Sequence, residues 1–231
     1  MAIIKDIKAR EIIDSRGNPT VECDIIFSDN SFGRAAVPSG ASTGKHEAIE
    51  LRDNDLKRYR GLGVQSALKN ILNIVKPKVL SKEFYYFEDF DNEIIKIDGT
   101  NNKSKLGANS TLSLSLAFIR ALSAQSGKNL YEFLSHEKNY ILPVPMMNII
   151  NGGSHADNNV DIQEFMIAPV GAPSFVEAIR YGCEIFHSLK SKLKSKGLNT
   201  NVGDEGGFAP DISSSRNVIE IILDAITDAG F

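Results

Sequence analysis

Cysteine is scarce. Cys23 and Cys183 are the only two in 231 residues, far apart and without a C-x-x-C spacing. A disulfide scaffold is therefore not expected, and free thiols in a reducing compartment are. An excess of either charge is also missing. Lys and Arg number 26 against 29 Asp and Glu, a net charge of −3. Such a balance offers no field for nucleic acid or an acidic membrane surface, and neither partner is expected. Long apolar runs are lacking as well. The stretch YILPVPMMNII is too short to span a bilayer and carries two prolines. The opening MAIIKDIKAR is charged by Lys5 and Asp6, unlike a secretory leader. The cytoplasm is the default location. There is no internal repeat or low-complexity tract, no Ser-His-Asp order, no H-E-x-x-H and no EF-hand pattern. What remains is 42% hydrophobic and 24% charged, an ordinary globular composition.

Periodicity organises the chain. TVECDIIF alternates, with Val21, Cys23, Ile25 and Phe27 on one side and Glu22 and Asp24 on the other. Turn signals RGNP (16–19) and SDNS (28–31) flank it. Together they predict an antiparallel three-stranded meander over residues 3–38. The period then shifts. A helix is expected over 62–80, ended at or just beyond Pro77, and another over 107–126 with Gly127 as its cap. LPVPMMNII and VDIQEFMIAPVGAP read as buried strands. Ser174 and Glu177 have the spacing of a capping box. Phe175, Ile179, Gly182, Phe186, Leu189 and Leu193 then share one helical face, with Gly197 past its end. A last helix is expected from Ser214, with Val218, Ile222, Ala225 and Ala229 on one side.

The predicted architecture is an α+β N-terminal domain over 1–135, a three-stranded antiparallel meander plus helices. The incomplete start of an α/β (TIM-type) barrel follows over 141–231. A barrel takes about 250 residues, so this second part is expected to be truncated, and the sequence to be a partial record or a shortened polypeptide.

Three stretches carry candidate chemistry. In SGASTGK, Gly40 and Gly44 enclose three residues, and His46 follows Lys45. A Walker loop needs four residues between the glycines and a hydroxyl after the lysine, so a nucleotide site is rejected. What is left is a loop of small residues with Ser42 and Thr43, able to close over an anion, to ligate a hard cation, or to serve as a plain connector. In NGGSHADNNVDIQEF, His155 follows two glycines that permit close approach to a ligand. Gln163 and Glu164 fall on a strand, where neighbours face opposite ways and one of the pair can face the barrel interior. Barrel chemistry sits at the C-terminal ends of parallel strands. A turn histidine and a solvated Gln-Glu pair fit the same residues. In NVGDEGGFAP, three glycines surround Asp204 and Glu205, allowing an unusual backbone path that would bring both toward Glu164. Carboxyl groups held together oppose each other's ionisation, so one can keep a proton near neutrality and act as an acid. An exposed Gly-rich turn is the alternative.

Taken in order, DSRGNPTVE (14–22), VPSGASTG (37–44), NKSKLGAN (102–109), PMMNIINGGSHADNNVDIQEFMI (145–167) and NVGDEGGFAP (201–210) resemble the enolase family, the phosphopyruvate hydratases. HADNNVDIQEFM is similar to the bacterial form. The resemblance implies reversible Mg²⁺-dependent dehydration of 2-phosphoglycerate to phosphoenolpyruvate in glycolysis, by a homodimer using its α+β domain at the contact. It implies that Glu205 protonates the departing hydroxyl, that Glu164 is its partner carboxylate and that Gln163 touches substrate. It places His155 on a mobile loop near substrate and Gly40, Ala41 and Ser42 in a lid whose Ser42 ligates a second Mg²⁺. Asp204 is left to shape its loop. The family's base lysine, three acidic metal ligands and phosphate-binding Arg-Ser pair come later than Phe231, so a polypeptide ending there is expected to be inactive. A non-catalytic interaction module is the competing reading of such a fragment.

Overall fold

The computed structural model describes residues 1–40, 44–135, 137, 139–203 and 205–231. The chain divides into two compact units, Met1–Lys138 and Asn139–Phe231.

In the first unit, β1 (Ala2–Ile13), β2 (Pro19–Phe27) and β3 (Phe32–Ala36) form the expected antiparallel meander. A short strand, β4 (Glu83–Phe84), adds to the outer edge of β1, giving the order β3-β2-β1-β4. Val21, Cys23, Ile25 and Phe27 are all fully buried, as alternation requires. The opposite face is less solvated than its Glu-Asp content suggests. Asp24 is only 3% exposed, because Arg10 and Arg34 converge on it from the two neighbouring strands.

The helical stretch expected over 62–80 runs past Pro77. It consists of α1 (Gln65–Lys69), a wider π-turn over Asn70–Val75, and α2 (Lys76–Val79). The widening falls just before Pro77, which has no N–H to give and whose ring would crowd a regular turn. Next come α3 (Phe87–Asp98), α4 (Ala108–Gln125) and α5 (Leu130–Leu134). Gly127 follows α4 in the left-handed region at φ 66°. Helix α4 lies on the sheet through Leu114, Ala117, Phe118 and Ala121. Phe118 stacks on Phe90 at 4.1 Å and meets Phe27 and Phe84 edge-on at 5.3 and 5.5 Å. Helix and sheet approach closely at Gly33, where a Cβ would stand 2.1 Å from the Ala117 carbonyl oxygen.

In the second unit, β5 (Met147–Asn151) and β6 (Glu164–Ile167) pair antiparallel, with Asn151 opposite Glu164. The barrel therefore opens on a hairpin rather than on parallel strands. Parallel pairing begins one step later, where Phe208 bridges to Ile150. Helices α6 (Phe175–Ser195) and α7 (Ser215–Asp228) pack behind. Ser174 Oγ caps α6 by accepting from the Glu177 N–H. The reciprocal half of the capping box is not used, because the Glu177 carboxylate turns to Arg180. The buried face of α6 is Ala178, Gly182, Ile185, Leu189 and Leu193. Phe175 and Ile179, expected on that face, are exposed, since the apolar stripe turns about the axis at 3.6 residues per turn and meets the core one residue earlier. Helix α7 buries Val218, Ile221, Ile222 and Ala225, with Ser214 as its cap. Among the described residues no helix is long and apolar enough to cross a membrane.

Candidate active site

The candidate site lies at the end of the β5–β6 pair. Because the strands are antiparallel, the C-terminal end of β5 and the N-terminal start of β6 meet there. His155 ends a short 3-10 turn, Gly153–His155, just past β5, and is 7% exposed. Two glycines make that turn. A Cβ on Gly152 would stand 2.5 Å from the Val160 carbonyl oxygen, and Gly153 sits at φ 53°. The bare backbone is thus used to approach the returning chain: Gly152 N–H donates to the Gln163 carbonyl at 2.9 Å.

Glu164 opens β6 and turns its side chain toward the histidine. Its Oε1 is 3.5 Å from His155 Nδ1. Glu205 arrives from the Gly-rich loop, and its Oε2 also lies 3.5 Å from the same nitrogen. One atom from each of the three residues falls within 4.8 Å of the others. Two stretches of sequence, one carrying His155 and Glu164 and the other Glu205, thereby place two carboxylates beside one buried imidazole. At 3.5 Å these are ion-pair distances if the ring is protonated. Among the described residues His155 Nδ1 has no hydrogen-bond partner. Gln163 precedes the strand, is exposed, and donates its amide to Ser154 Oγ. It therefore sits beside the His155 turn and not on the face that Glu164 presents.

Of the residues expected to form a lid, Gly40 belongs to the first unit and lines a hollow of about 670 Å³ with Gly44, Lys45, His46 and Asn102. Ala41 and Ser42 lie outside the described residues, as does Asp204.

Sequence reasoning missed two asparagines here. Asn158 ties the loop shut, its amide donating to the Asn151 carbonyl at 2.9 Å and the Pro210 carbonyl at 3.2 Å. Asn151 is fully buried. The available signal was a polar residue ending an apolar strand, NIIN, before the double glycine.

One imidazole nitrogen and two carboxylate oxygens can approach a divalent cation. They do not by themselves make a Mg²⁺ site, since that ion asks for an octahedron of oxygens. The chemistry these residues can perform on their own is proton transfer and the holding of a polar substrate. Comparison with known families accords with both units. Residues 4–134 match the family model described as enolase, N-terminal domain, and residues 139–231 the one described as enolase, C-terminal TIM barrel domain.

Proposed function

The chain belongs to the enolase family, glycolytic lyases with a small-molecule substrate and a divalent metal, and from that premise we propose that it serves the reversible, Mg²⁺-dependent dehydration of 2-phosphoglycerate to phosphoenolpyruvate. In the forward direction a proton leaves carbon 2 and hydroxide leaves carbon 3. Hydroxide is a poor leaving group unless protonated. Glu205 gives its proton to the departing oxygen, so that water is released as the carbon–carbon double bond forms. Glu164 stands as the partner carboxylate, facing the same imidazole. His155 closes beside the substrate, and Gln163 contacts it. Gly40, Ala41 and Ser42 form the lid that excludes water.

The observation that carries this reading is the convergence of Glu164 and Glu205, each 3.5 Å from His155 Nδ1. The metal is read as Mg²⁺, with Ser42 among its ligands, because a hard cation offsets the charge of a substrate that carries both a carboxylate and a phosphate. The trio at His155 does not complete its shell, so no step is drawn through it. The base for the carbon-2 proton and the acidic metal ligands are assigned to the part of the family barrel that follows the matched residues. A polypeptide confined to residues 1–231 is accordingly expected to be inactive. The domains are assigned to residues 1–135 and 141–231, the assembly is a homodimer through the first of them, and the compartment is the cytoplasm.

The test supplies 2-phosphoglycerate and Mg²⁺ to the protein with its barrel complete and follows ultraviolet absorbance of the enol phosphate. Turnover is expected, abolished by a chelator and restored by Mg²⁺. Glu205→Gln should lower kcat by about 10²–10⁴-fold. A near-normal rate in that variant removes Glu205 from the acid role, and turnover by residues 1–231 alone overturns the assignment of the base.

A further inference from the structure

We propose that Asn151 is a positioning residue for Glu205. This rests on the reading of Glu205 as the acid. Asn151 ends β5 with no exposure to solvent. Its backbone is fixed on both sides: the N–H donates to the Phe208 carbonyl at 2.9 Å, and the carbonyl accepts from Asn158. Its side chain fills the hollow of the Glu205 turn. That turn is closed by Gly203 N–H donating to the Gly207 carbonyl at 2.8 Å and Gly206 N–H to the Gly203 carbonyl at 3.1 Å.

Both closing glycines rest on the asparagine. A Cβ on Gly207 would stand 2.6 Å from Asn151 Oδ1. A Cβ on Gly203 would stand 3.0 Å from Asn151 Cβ and 2.6 Å from the His155 carbonyl oxygen. The Glu205 turn thus touches the Asn151 side chain at its two ends and the His155 backbone at one. Moving Asn151 moves the turn, and with it the 3.5 Å approach of Glu205 to His155.

No hydrogen bond among the described residues accounts for an amide at this position. Neither Asn151 Oδ1 nor Nδ2 has a hydrogen-bond partner among the described residues. Burying such groups unpaired is costly, and an apolar residue of similar volume would fill the space without that cost. A buried amide without such a bond, pressed against both glycines of the Glu205 turn, points to a role at the site rather than in the core.

The test compares Asn151→Leu and Asn151→Ala with the unsubstituted protein, its barrel complete, in deuterated water. Two rates are followed: formation of the enol phosphate, and exchange of the carbon-2 hydrogen of 2-phosphoglycerate with solvent. A misplaced acid slows departure of the hydroxyl but leaves removal of the carbon-2 proton intact. Asn151→Leu should therefore fold, lose about 10–100-fold in elimination, and show a raised ratio of exchange to elimination. A Leu variant within about threefold of normal in elimination overturns the proposal, as does one that loses exchange and elimination in equal proportion. If Asn151→Ala unfolds, the Leu variant alone decides. Absence of turnover in the unsubstituted protein would instead defeat the parent reading, which keeps the two failures distinct.

Discussion

At the scale of single residues, neighbours on β2 meet opposite fates. Cys23 points into the core with no exposure, and burial pushes its thiol up to about 12. A thiol that far from ionisation is inert, because the thiolate is the nucleophile. Cys183 lies exposed on α6. Titration with a thiol reagent near pH 8 should therefore label Cys183 in the native protein and Cys23 only after unfolding. Rapid native labelling of Cys23 would contradict the buried strand. Much at this scale was legible beforehand. Alternation alone gave the inward set Val21, Cys23, Ile25 and Phe27. The glycines of NVGDEGGFAP pointed to a backbone path that presents Glu205. What could not be read was partnership. Asp24 looked solvated, since the guanidiniums that bury it come from Arg10 and Arg34 on other strands, and only pairing register brings them together. Asn151 escaped notice for the same reason: its contacts, Gly203 and Gly207, lie more than fifty positions along the chain.

At the scale of elements, caps and periods located the helices well, and the strand directions less well. Apolar runs bounded by proline and glycine do not encode whether the next strand runs up or down. The hairpin of β5 and β6 therefore emerged only in three dimensions, and it explains why Glu164, at the beginning of its strand, meets His155 beyond the end of another. The π-turn ahead of Pro77 was likewise invisible to a 3.6-residue rule. A tight joint between elements is Gly33 under α4. A methyl there would meet helix backbone at 2.1 Å from the Ala117 oxygen and 2.4 Å from the Ala121 nitrogen, neither of which can rotate away. Gly33→Ala should lift α4 from the sheet and cost about 3 kcal/mol, seen as a lower urea midpoint. An unchanged midpoint would mean that the sheet yields more readily than its packing suggests.

At the scale of the whole molecule, acid sensitivity is uneven. In Met1–Lys138, Lys76 holds the Asp6 carboxyl below its usual range, Arg58 does so for Glu11 and Lys82 for Glu93. Burial opposes ionisation of Asp24, yet hydrogen bonds from Arg34 and Arg10 outweigh it and hold that group at about 2, against an ordinary 3.8. Such groups bind protons less readily folded than unfolded. Their contribution is complete above the unfolded value near 4 and drains as pH falls toward 2, about 2 kcal/mol for Asp24. Asp91, raised by burial, runs the other way and offsets a part. In Asn139–Phe231 the lowered carboxyl among the described residues is Glu177, on an exposed helix face. Hydrogen-exchange protection factors, corrected for the intrinsic rate at each pH, should fall more between pH 7 and pH 3 in β1, β2, β3 and α4 than in α6 and α7. A larger acid effect in α6 and α7 would refute this ranking. The hairpin that starts the second unit has a temporal corollary. His155, Glu164, Glu205 and the asparagine beneath them all belong to residues 151–205, and the backbone that holds them reaches Phe208, which bridges to Ile150. During synthesis, the ribosome therefore delivers these four side chains within one consecutive stretch, so that no long-range closure has to wait for a distant part of the sequence.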